Sequence, residues 1–295
     1  MQRRLFLQHS AFLLTSLGLS SYKSPFDTPY KIKELRNGVG VFTERGGTIA
    51  FASTNKGIAI VDSQFPEQSN HLIEALKGMS ENPIKLLFNT HHHGDHSSGN
   101  IAYKGIVEHV IAHENSLKNQ KAVAEKQNTV EKQLFPDITY QDTHLEKLGK
   151  ERIKLHYFGA GHTNGDSIIH FERANVAHCG DLVFNRRFPV VDRNAGANMN
   201  SWINVLDKIN ATFDKDTIFV FGHAFDPEKI TGTHEDIKAF KNYLEQLLGY
   251  VSQEIKAGKS KEEILKTTAI PNAPEWKGDG IQRSLTAAYD ELTSK

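Results

Sequence analysis

The sequence predicts an α/β fold in which short buried strands alternate with amphipathic helices. Two features of the chain carry this prediction. Short apolar stretches end at glycine-containing turns, as buried strands do. Longer stretches between them repeat apolar side chains every three or four positions, which is the spacing of one helix face. The 295 residues include 38% apolar and 24% charged side chains, which is enough for a sizeable core.

The first half of the chain predicts three paired strands and then an alternation of helices and strands. The turns at Gly46-Gly47 and at 55–57 predict that the first three strands pair antiparallel. Pro66 in a first helical turn and Gly78 after the last apolar position predict the limits of a helix. The predicted elements are strands over 38–43, 48–53 and 57–62, a helix over 66–77, strands over 84–88 and 107–112, and a helix over 114–133.

The second half repeats this alternation. Thr233 and Asp236 have the spacing of a capping box, and Gly258 predicts where the helix that they open ends. The predicted elements are strands over 153–158, 167–171, 176–179 and 217–221, a helix over 201–209, the long helix after Thr233, and two short helices from Ser260 and from Ile281. No Gly/Pro/Ser linker interrupts the pattern, so we predict one domain over 25–295.

The strongest functional signal is the run HHHGDH, which directly follows a predicted strand. In an extended chain His91 and His93 point the same way, because side chains alternate with a period of two. Gly94 permits the turn that brings Asp95 and His96 to the same spot from the far side. This arrangement supplies nitrogen ligands for one metal ion and an oxygen/nitrogen pair for a second.

Three further candidate ligands lie far along the chain, and each follows a predicted strand. They are His162, Asp181 and His223. Ends of neighbouring strands lie side by side in a sheet, so residues distant in sequence can converge there. An exposed histidine-rich loop is the alternative interpretation of the run, and these downstream residues favour a metal site instead.

At these residues the chain resembles the metallo-β-lactamase superfamily, over about residues 30–250. The run matches the family motif His-x-His-x-Asp-His, and the later single ligands follow in the family's order. The resemblance implies a four-layer αββα sandwich with metals at one edge between the sheets. The implied ligands are His91, His93 and His162 for a first zinc ion, Asp95, His96 and His223 for a second, and Asp181 bridging both.

The resemblance further implies a zinc-dependent hydrolase. Two zinc ions lower the pKa of a bridging water, and the resulting hydroxide attacks the carbonyl carbon of an ester, thioester, lactone or amide. Asp95 would orient this nucleophile as well as bind metal, and it would carry a proton to the leaving group. Asp181 stands where some β-lactamases have Cys, so the ligand set resembles glyoxalase II and other dinuclear hydrolases.

Four other functions remain compatible with parts of this pattern. One is β-lactamase activity at the same site. A mononuclear iron dioxygenase uses a related scaffold, which leaves iron as an alternative to two Zn²⁺ ions. A dinuclear-iron redox protein would favour a carboxylate at position 93, and His93 argues against it. A non-catalytic zinc-binding protein would need only a closed site.

Several residues near the proposed ligands have weaker interpretations. Arg186 or Arg187 could bind a substrate carboxylate, although a solvated pair is the alternative. His92 matches no ligand position, and its ring should point to the opposite side of the strand, so we interpret it as a packing residue or as one that supports the ligands from behind. Cys179, the single cysteine, reads as a buried core thiol. Asp192 could cap the loop that follows it.

The N-terminus predicts export. Arg3 and Arg4 are followed by Leu-Phe-Leu, a twin-arginine pattern, and the apolar stretch over 11–19 is too short to span a bilayer. We therefore predict a twin-arginine signal peptide over 1–24, a periplasmic or exported location, and no stable membrane anchor after its removal. The net charge of zero argues against a nucleic-acid partner, which leaves a small-molecule substrate as the expected partner.

Overall fold

Two β-sheets packed face to face form the centre of the fold, and helices cover both outer faces. The structure, a computed structural model, describes residues 29–294, so the predicted signal peptide lies outside the described residues. Three buried clusters define the layers: one between the sheets, one between the first sheet and its helix, and one between the second sheet and its helices. This arrangement is the predicted four-layer αββα sandwich.

The first sheet has seven strands that follow one another in chain order. Its first four strands pair antiparallel, and its last four pair parallel. The strands are β1 (Lys31–Arg36), β2 (Val39–Thr43), β3 (Ile49–Thr54), β4 (Gly57–Val61), β5 (Ile84–Asn89), β6 (His109–His113) and β7 (Ile138–Tyr140).

Alternation along β3 shows how one strand serves two layers. Ile49 and Phe51 face outward and pack with α1 (Pro66–Met79), whereas Ala50 and Ala52 face the second sheet. Both faces of β3 are therefore buried, which explains why its sequence is a nearly continuous apolar run.

The second sheet has six strands in the order β15-β13-β11-β10-β9-β8. Its strands are β8 (Thr143–Leu148), β9 (Glu151–His156), β10 (Ile168–Phe171), β11 (Val176–His178), β13 (Ile218–Val220) and β15 (Thr231–Gly232). The pair β11–β13 is parallel and its other pairs are antiparallel. A separate parallel pair joins β12 (Phe184–Asn185) to β14 (His223–Ala224).

Helices α4 (Met199–Thr212), α5 (His234–Lys256) and α7 (Ile281–Thr293) cover the second sheet, around the buried Trp202 and Phe240. Thr233 caps α5 with Asp236 in the predicted capping box. The other helices after α1 are α2 (Gly94–Ser97), α3 (Glu114–Lys126) and α6 (Lys261–Ile264).

The structure corrects the predicted bounds of some elements. The helix predicted over 114–133 ends at Lys126, because Asn128 takes a left-handed conformation with φ of 54°. The predicted stop Gly78 lies inside α1, which continues to Met79. Strands β1, β7 and β8 were not predicted. They lie at or beside the sheet edges and have more exposed side chains, so their apolar signal is weak.

Strands β5, β9, β11 and β13 all end towards one edge of the sandwich, and the candidate metal ligands follow them. Within residues 29–294, no helix is long and apolar enough to cross a bilayer.

Candidate metal centre

All of the sequence-predicted ligands converge at this edge. His91 and His93 follow β5, and His162 lies in the loop after β9. Asp181 lies in a short 3-10 turn after β11, and His223 begins β14 directly after β13. Their ligand atoms form two groups, each with its atoms within 4.8 Å of one another.

The first cluster consists of His91, His93 and His162. Nδ1 of His93 lies 3.2 Å from Nε2 of His91 and 2.8 Å from Nε2 of His162. Three imidazole nitrogens that converge in this way match the nitrogen donors that zinc binds in hydrolytic sites.

The second cluster consists of Asp95, His96 and His223. Oδ2 of Asp95 lies 3.1 Å from Nε2 of His223 and 3.8 Å from Nε2 of His96. The Asp95 side chain is 31% exposed, whereas that of His96 is fully buried. The cluster is therefore closed on the His96 side and open at the carboxylate.

Asp181 lies between the two clusters. Its Oδ1 is 3.2 Å from Nε2 of His96, and its Oδ2 is 3.5 Å from Nε2 of His162 and 3.6 Å from Nε2 of His223. Oδ1 of Asp181 and Nε2 of His96 are both buried without a well-formed hydrogen bond. Buried polar atoms are costly when unsatisfied, and metal ions between these clusters would satisfy both. The residues present therefore fit the implied metal centre.

Asp62 orients the second cluster from behind. Its Oδ2 accepts a hydrogen bond at 2.7 Å from Nδ1 of His96, which leaves Nε2 of that ring facing Asp181. The same carboxylate accepts hydrogen bonds from the backbone N–H and the hydroxyl of Thr90, both at 2.7 Å. Asp62 is fully buried at the end of β4, so the carboxylate is rigidly held.

One loop, residues 190–198, orients two rings of the first cluster. Nδ1 of His162 donates to the carbonyl oxygen of Val190 at 2.8 Å. Oδ2 of Asp192 lies 2.9 Å from Nε2 of His93. In each ring the opposite nitrogen then faces the cluster, as a metal ligand must.

Electrostatics favours neutral rings for His91 and His162 and an ionised carboxylate for Asp181 beside them. Burial lowers the pKa of His91 well below its usual range, with a further contribution from His96. Burial and the neighbouring His93 lower the pKa of His162 to about 3. Burial alone would raise the pKa of Asp181, but His223 and His96 hold it well below its usual range.

The second cluster behaves differently. Burial alone would lower the pKa of His96, but the charges of Asp181, Asp95 and Asp62 outweigh it and raise this pKa well above its usual range. Burial opposes ionisation of Asp95, yet His96 and His223 lower its pKa to about 2. In the absence of metal, the proton on His96 therefore supplies the positive charge that a bound metal ion would supply.

Two glycines let the backbone approach the site closely. A Cβ at Gly222 would overlap Oδ1 of Asp181, and a Cβ at Gly47 would overlap the ring of His96. Neither glycine has a positive φ. Space for the buried ligands, and not backbone conformation, is therefore what these positions require.

The remaining sequence-predicted residues lie outside the two clusters. The guanidinium of Arg186 is 4.9 Å above the ring of Trp276 and 3.7 Å from the carboxylate of Asp236, so it already has partners within the protein. Arg187 is exposed. Cys179 is a buried free thiol, as predicted.

His92 is buried, which agrees with a packing role, and its Nε2 lies 3.6 Å from Oδ2 of Asp192. Asp192 caps its loop as predicted, because Oδ1 accepts from the N–H of Ala195 at 3.1 Å. Sequence reasoning missed the contacts of Asp62 and Asp192 with the clustered imidazoles. The position of Asp62 at the end of an apolar strand is the signal that could have identified it.

A four-layer αββα sandwich that carries histidine and aspartate clusters at the edge between its sheets is the architecture of a class of proteins whose members are mostly metal-dependent hydrolases. The chain belongs to the Metallo-beta-lactamase superfamily, whose family model matches residues 43–223.

The sequence identity between this chain and individual members of the family is low. Metallo-beta-lactamase IND-1 of Chryseobacterium indologenes is 24% identical over 190 residues, which cover 62% of this chain and 75% of that protein. A hydroxyacylglutathione hydrolase of Gloeobacter violaceus is 31% identical over 133 residues, 43% of this chain and 44% of that protein. The structure of a metallo-beta-lactamase from Pontibacter korlensis superimposes with a TM-score of 0.61 and 19% identity, covering 73% of this chain and 99% of that one. At this identity the superposition establishes the fold.

Proposed function

We propose that this protein is a dinuclear zinc hydrolase that cleaves an ester, thioester, lactone or amide. The observation that carries the proposal is the position of Asp181, whose carboxylate faces both clusters. Its Oδ1 lies near His96 of the second cluster, and its Oδ2 lies between His162 of the first and His223 of the second. Each cluster offers three further ligand atoms of the kinds that zinc binds. The proposed ligands are His91, His93 and His162 on one side, Asp95, His96 and His223 on the other, and Asp181 between them.

Zinc ions bound in this centre supply Lewis acidity and lower the pKa of a coordinated water. The protein residues hold and orient the reacting groups. His91 and His162 are neutral at pH 7 because of their lowered pKa values, so their nitrogen lone pairs are available. Asp95 is ionised and is the most exposed carboxylate of the two clusters, so it can take a proton from the attacking water and deliver it to the leaving group.

Two observations support a substrate class. Asp181 stands where some β-lactamases have Cys, and the relative from Gloeobacter violaceus is named a hydroxyacylglutathione hydrolase. Both favour a glyoxalase II-like hydrolase acting on a thioester or ester of a small molecule. Relatives such as IND-1 carry the name metallo-beta-lactamase, so β-lactam hydrolysis is the second candidate. Exposed Arg187 remains the side chain proposed to bind a substrate carboxylate, since Arg186 is engaged with Trp276 and Asp236.

The test is metal analysis followed by a hydrolysis screen. Protein purified without added metal is assayed for zinc and iron, and zinc-loaded protein is tested on esters, thioesters, lactones and β-lactams. We expect about two zinc ions per chain and turnover that His91→Ala abolishes. His144→Ala is the matched control, because that imidazole is partly buried, belongs to neither cluster and pairs with Glu146 within β8. Fewer than one metal ion per chain after careful loading would exclude the dinuclear centre.

We also propose that the protein is exported as a folded, metal-loaded domain over 25–295. The twin-arginine pattern at Arg3 and Arg4 supports this proposal. A reporter that folds in the cytoplasm, fused to residues 1–30, should reach the periplasm. Changing both arginines to Lys should retain it in the cytoplasm, and a native fusion that is also retained would refute export.

A further inference from the structure

The loop 190–198 is the structural element that aims two of the three imidazoles of the first cluster. The carbonyl oxygen of Val190 accepts a hydrogen bond from His162, and the carboxylate of Asp192 contacts His93. A backbone hydrogen bond also links the loop to His162, because the N–H of Asp192 donates to the carbonyl oxygen of that residue at 3.2 Å. A shift of this loop would therefore move both rings together.

Helix α7 holds the beginning of this loop. The hydroxyl of Ser284 donates to the carbonyl oxygen of Pro189 at 2.7 Å, directly before Val190. Ser284 is fully buried, so this contact is shielded from competing water.

Helix α7 also holds the end of the loop, through Glu291. One carboxylate oxygen accepts from the N–H of Met199 at 2.8 Å, and the other accepts from the N–H of Asn200 at 3.1 Å. A negative charge in the first turn of α4 is favourable, because it satisfies free N–H groups and opposes the helix dipole. The carboxylate of Glu291 also lies 3.4 Å from the guanidinium of Arg193, the residue next to Asp192. The Glu291 side chain is only 6% exposed.

We propose that α7 is a positioning element for the first cluster, with Ser284 and Glu291 as its positioning residues. Together they fix both ends of the loop 190–198 and thereby set the affinity of the first cluster for zinc. The helix lies beyond residues 43–223, the part of the chain that the family model matches. The proposal rests on the metal centre proposed above, and it adds a control on that centre from outside the matched region.

The second cluster provides an internal comparison, because other residues hold it. His96 is fixed by Asp62 at 2.7 Å, and His223 lies in β14, which pairs with β12. Loss of the α7 contacts should therefore weaken zinc binding at the first cluster and spare the second. General destabilisation of the fold would weaken both.

The experiment places Glu291→Gln and Ser284→Ala, together, in two backgrounds that each retain one cluster. His223→Ala disables the second cluster, and His162→Ala disables the first. Zinc affinity is measured by competition with a chromophoric chelator, well below the unfolding temperature of each metal-free variant. In the His223→Ala background we expect up to about tenfold weaker binding, and in the His162→Ala background no change. Thr286→Ala with Thr293→Ala is the matched control, because each of these hydroxyls bonds a carbonyl within α7.

The possible outcomes separate the two proposals. Equal affinity with and without the α7 changes in the His223→Ala background would overturn the positioning role, and so would equal weakening in both backgrounds. Wild-type protein that binds no zinc would overturn the metal centre and the positioning role together. If the double change prevents folding, Glu291→Gln is tested alone, because it keeps the side-chain volume and one acceptor oxygen. Unchanged zinc affinity of that variant in the His223→Ala background would again overturn the positioning role.

Discussion

Nε2 of His93 and Oδ2 of Asp192 lie 2.9 Å apart although the two residues are separated by 99 positions in the chain. The contact turns Nδ1 of His93 towards Nε2 of His91 and of His162. The carboxylate is ionised at neutral pH, because its hydrogen bond to His93 lowers the pKa of Asp192 to about 2 despite burial. It therefore both orients the ring and increases the basicity of the nitrogen that faces the cluster.

The first prediction concerns this contact. Asp192→Asn should weaken zinc binding at the first cluster about 10- to 100-fold, because the ring loses its charged partner while the amide oxygen can still cap Ala195. Competition with a chelator measures the change. Asp142→Asn, at an exposed carboxylate, should leave the affinity unaltered. An unaltered affinity in Asp192→Asn itself would show that the contact contributes nothing to the centre.

The second prediction follows from the raised pKa of His96. In the metal-free protein this imidazole is protonated at pH 7, because Asp181, Asp95 and Asp62 outweigh the effect of burial. Zinc needs the lone pair on Nε2, so binding at the second cluster must release about one proton. Its affinity should therefore increase with pH through the neutral range. His91 and His162 carry no proton to displace at these pH values, because their pKa values are lowered.

Calorimetry in buffers of different ionisation enthalpy measures the protons released by each zinc equivalent. The His162→Ala variant isolates the second cluster and should show this release. Zinc binding to that variant without proton release would mean that His96 is already neutral.

Much of the site could be predicted from the sequence, because its ligands directly follow apolar strands in a recognisable order. Asp181 and His223 follow neighbouring strands of the second sheet, so their convergence follows from that sheet. His91 follows a strand of the first sheet, and its approach to them depends on how the two sheets pack. The contacts that orient the ligands could not be predicted. Asp192 reaches His93 across 99 positions and Glu291 reaches Met199 across 92, and no local pattern records which distant loop packs where.

The fold shows the same limit. Strands buried on both faces, such as β3, gave a clear apolar signal, whereas the edge strand β1 did not. Arg186 illustrates it for function. From the sequence, this residue or Arg187 could bind a substrate carboxylate or be solvated, and neither interpretation anticipated that Trp276, distant in sequence, packs against the guanidinium of Arg186.

The third prediction uses two glycines that differ in their surroundings. Gly222→Ala should displace Asp181, because the added methyl group would overlap Oδ1 of that carboxylate. We expect weaker binding of both zinc ions and a large loss of turnover. Gly249 lies in α5 with nothing within 4 Å of an added Cβ, so Gly249→Ala should retain both metals. It should also stabilise the fold by about 0.5–1 kcal/mol, since alanine favours a helix interior. Metal content and thermal unfolding of the two variants test the pair, and two tightly bound zinc ions in Gly222→Ala would contradict the packing argument.

The last prediction separates the roles of Asp95 and Asp181. Asp181 faces both clusters, so Asp181→Asn should weaken the binding of both zinc ions. Asp95 belongs to the second cluster and is 31% exposed, so Asp95→Asn should leave zinc at the first cluster. Turnover of Asp95→Asn should fall about 100- to 10,000-fold, because a positioned proton-transfer group is lost. Metal content measured beside turnover compares the variants, with Asp137→Asn, whose carboxylate pairs with His109 at the surface, as the control. If Asp95→Asn retains near-normal turnover with one zinc bound, the centre works with one metal, and the bridging role of Asp181 is wrong as well.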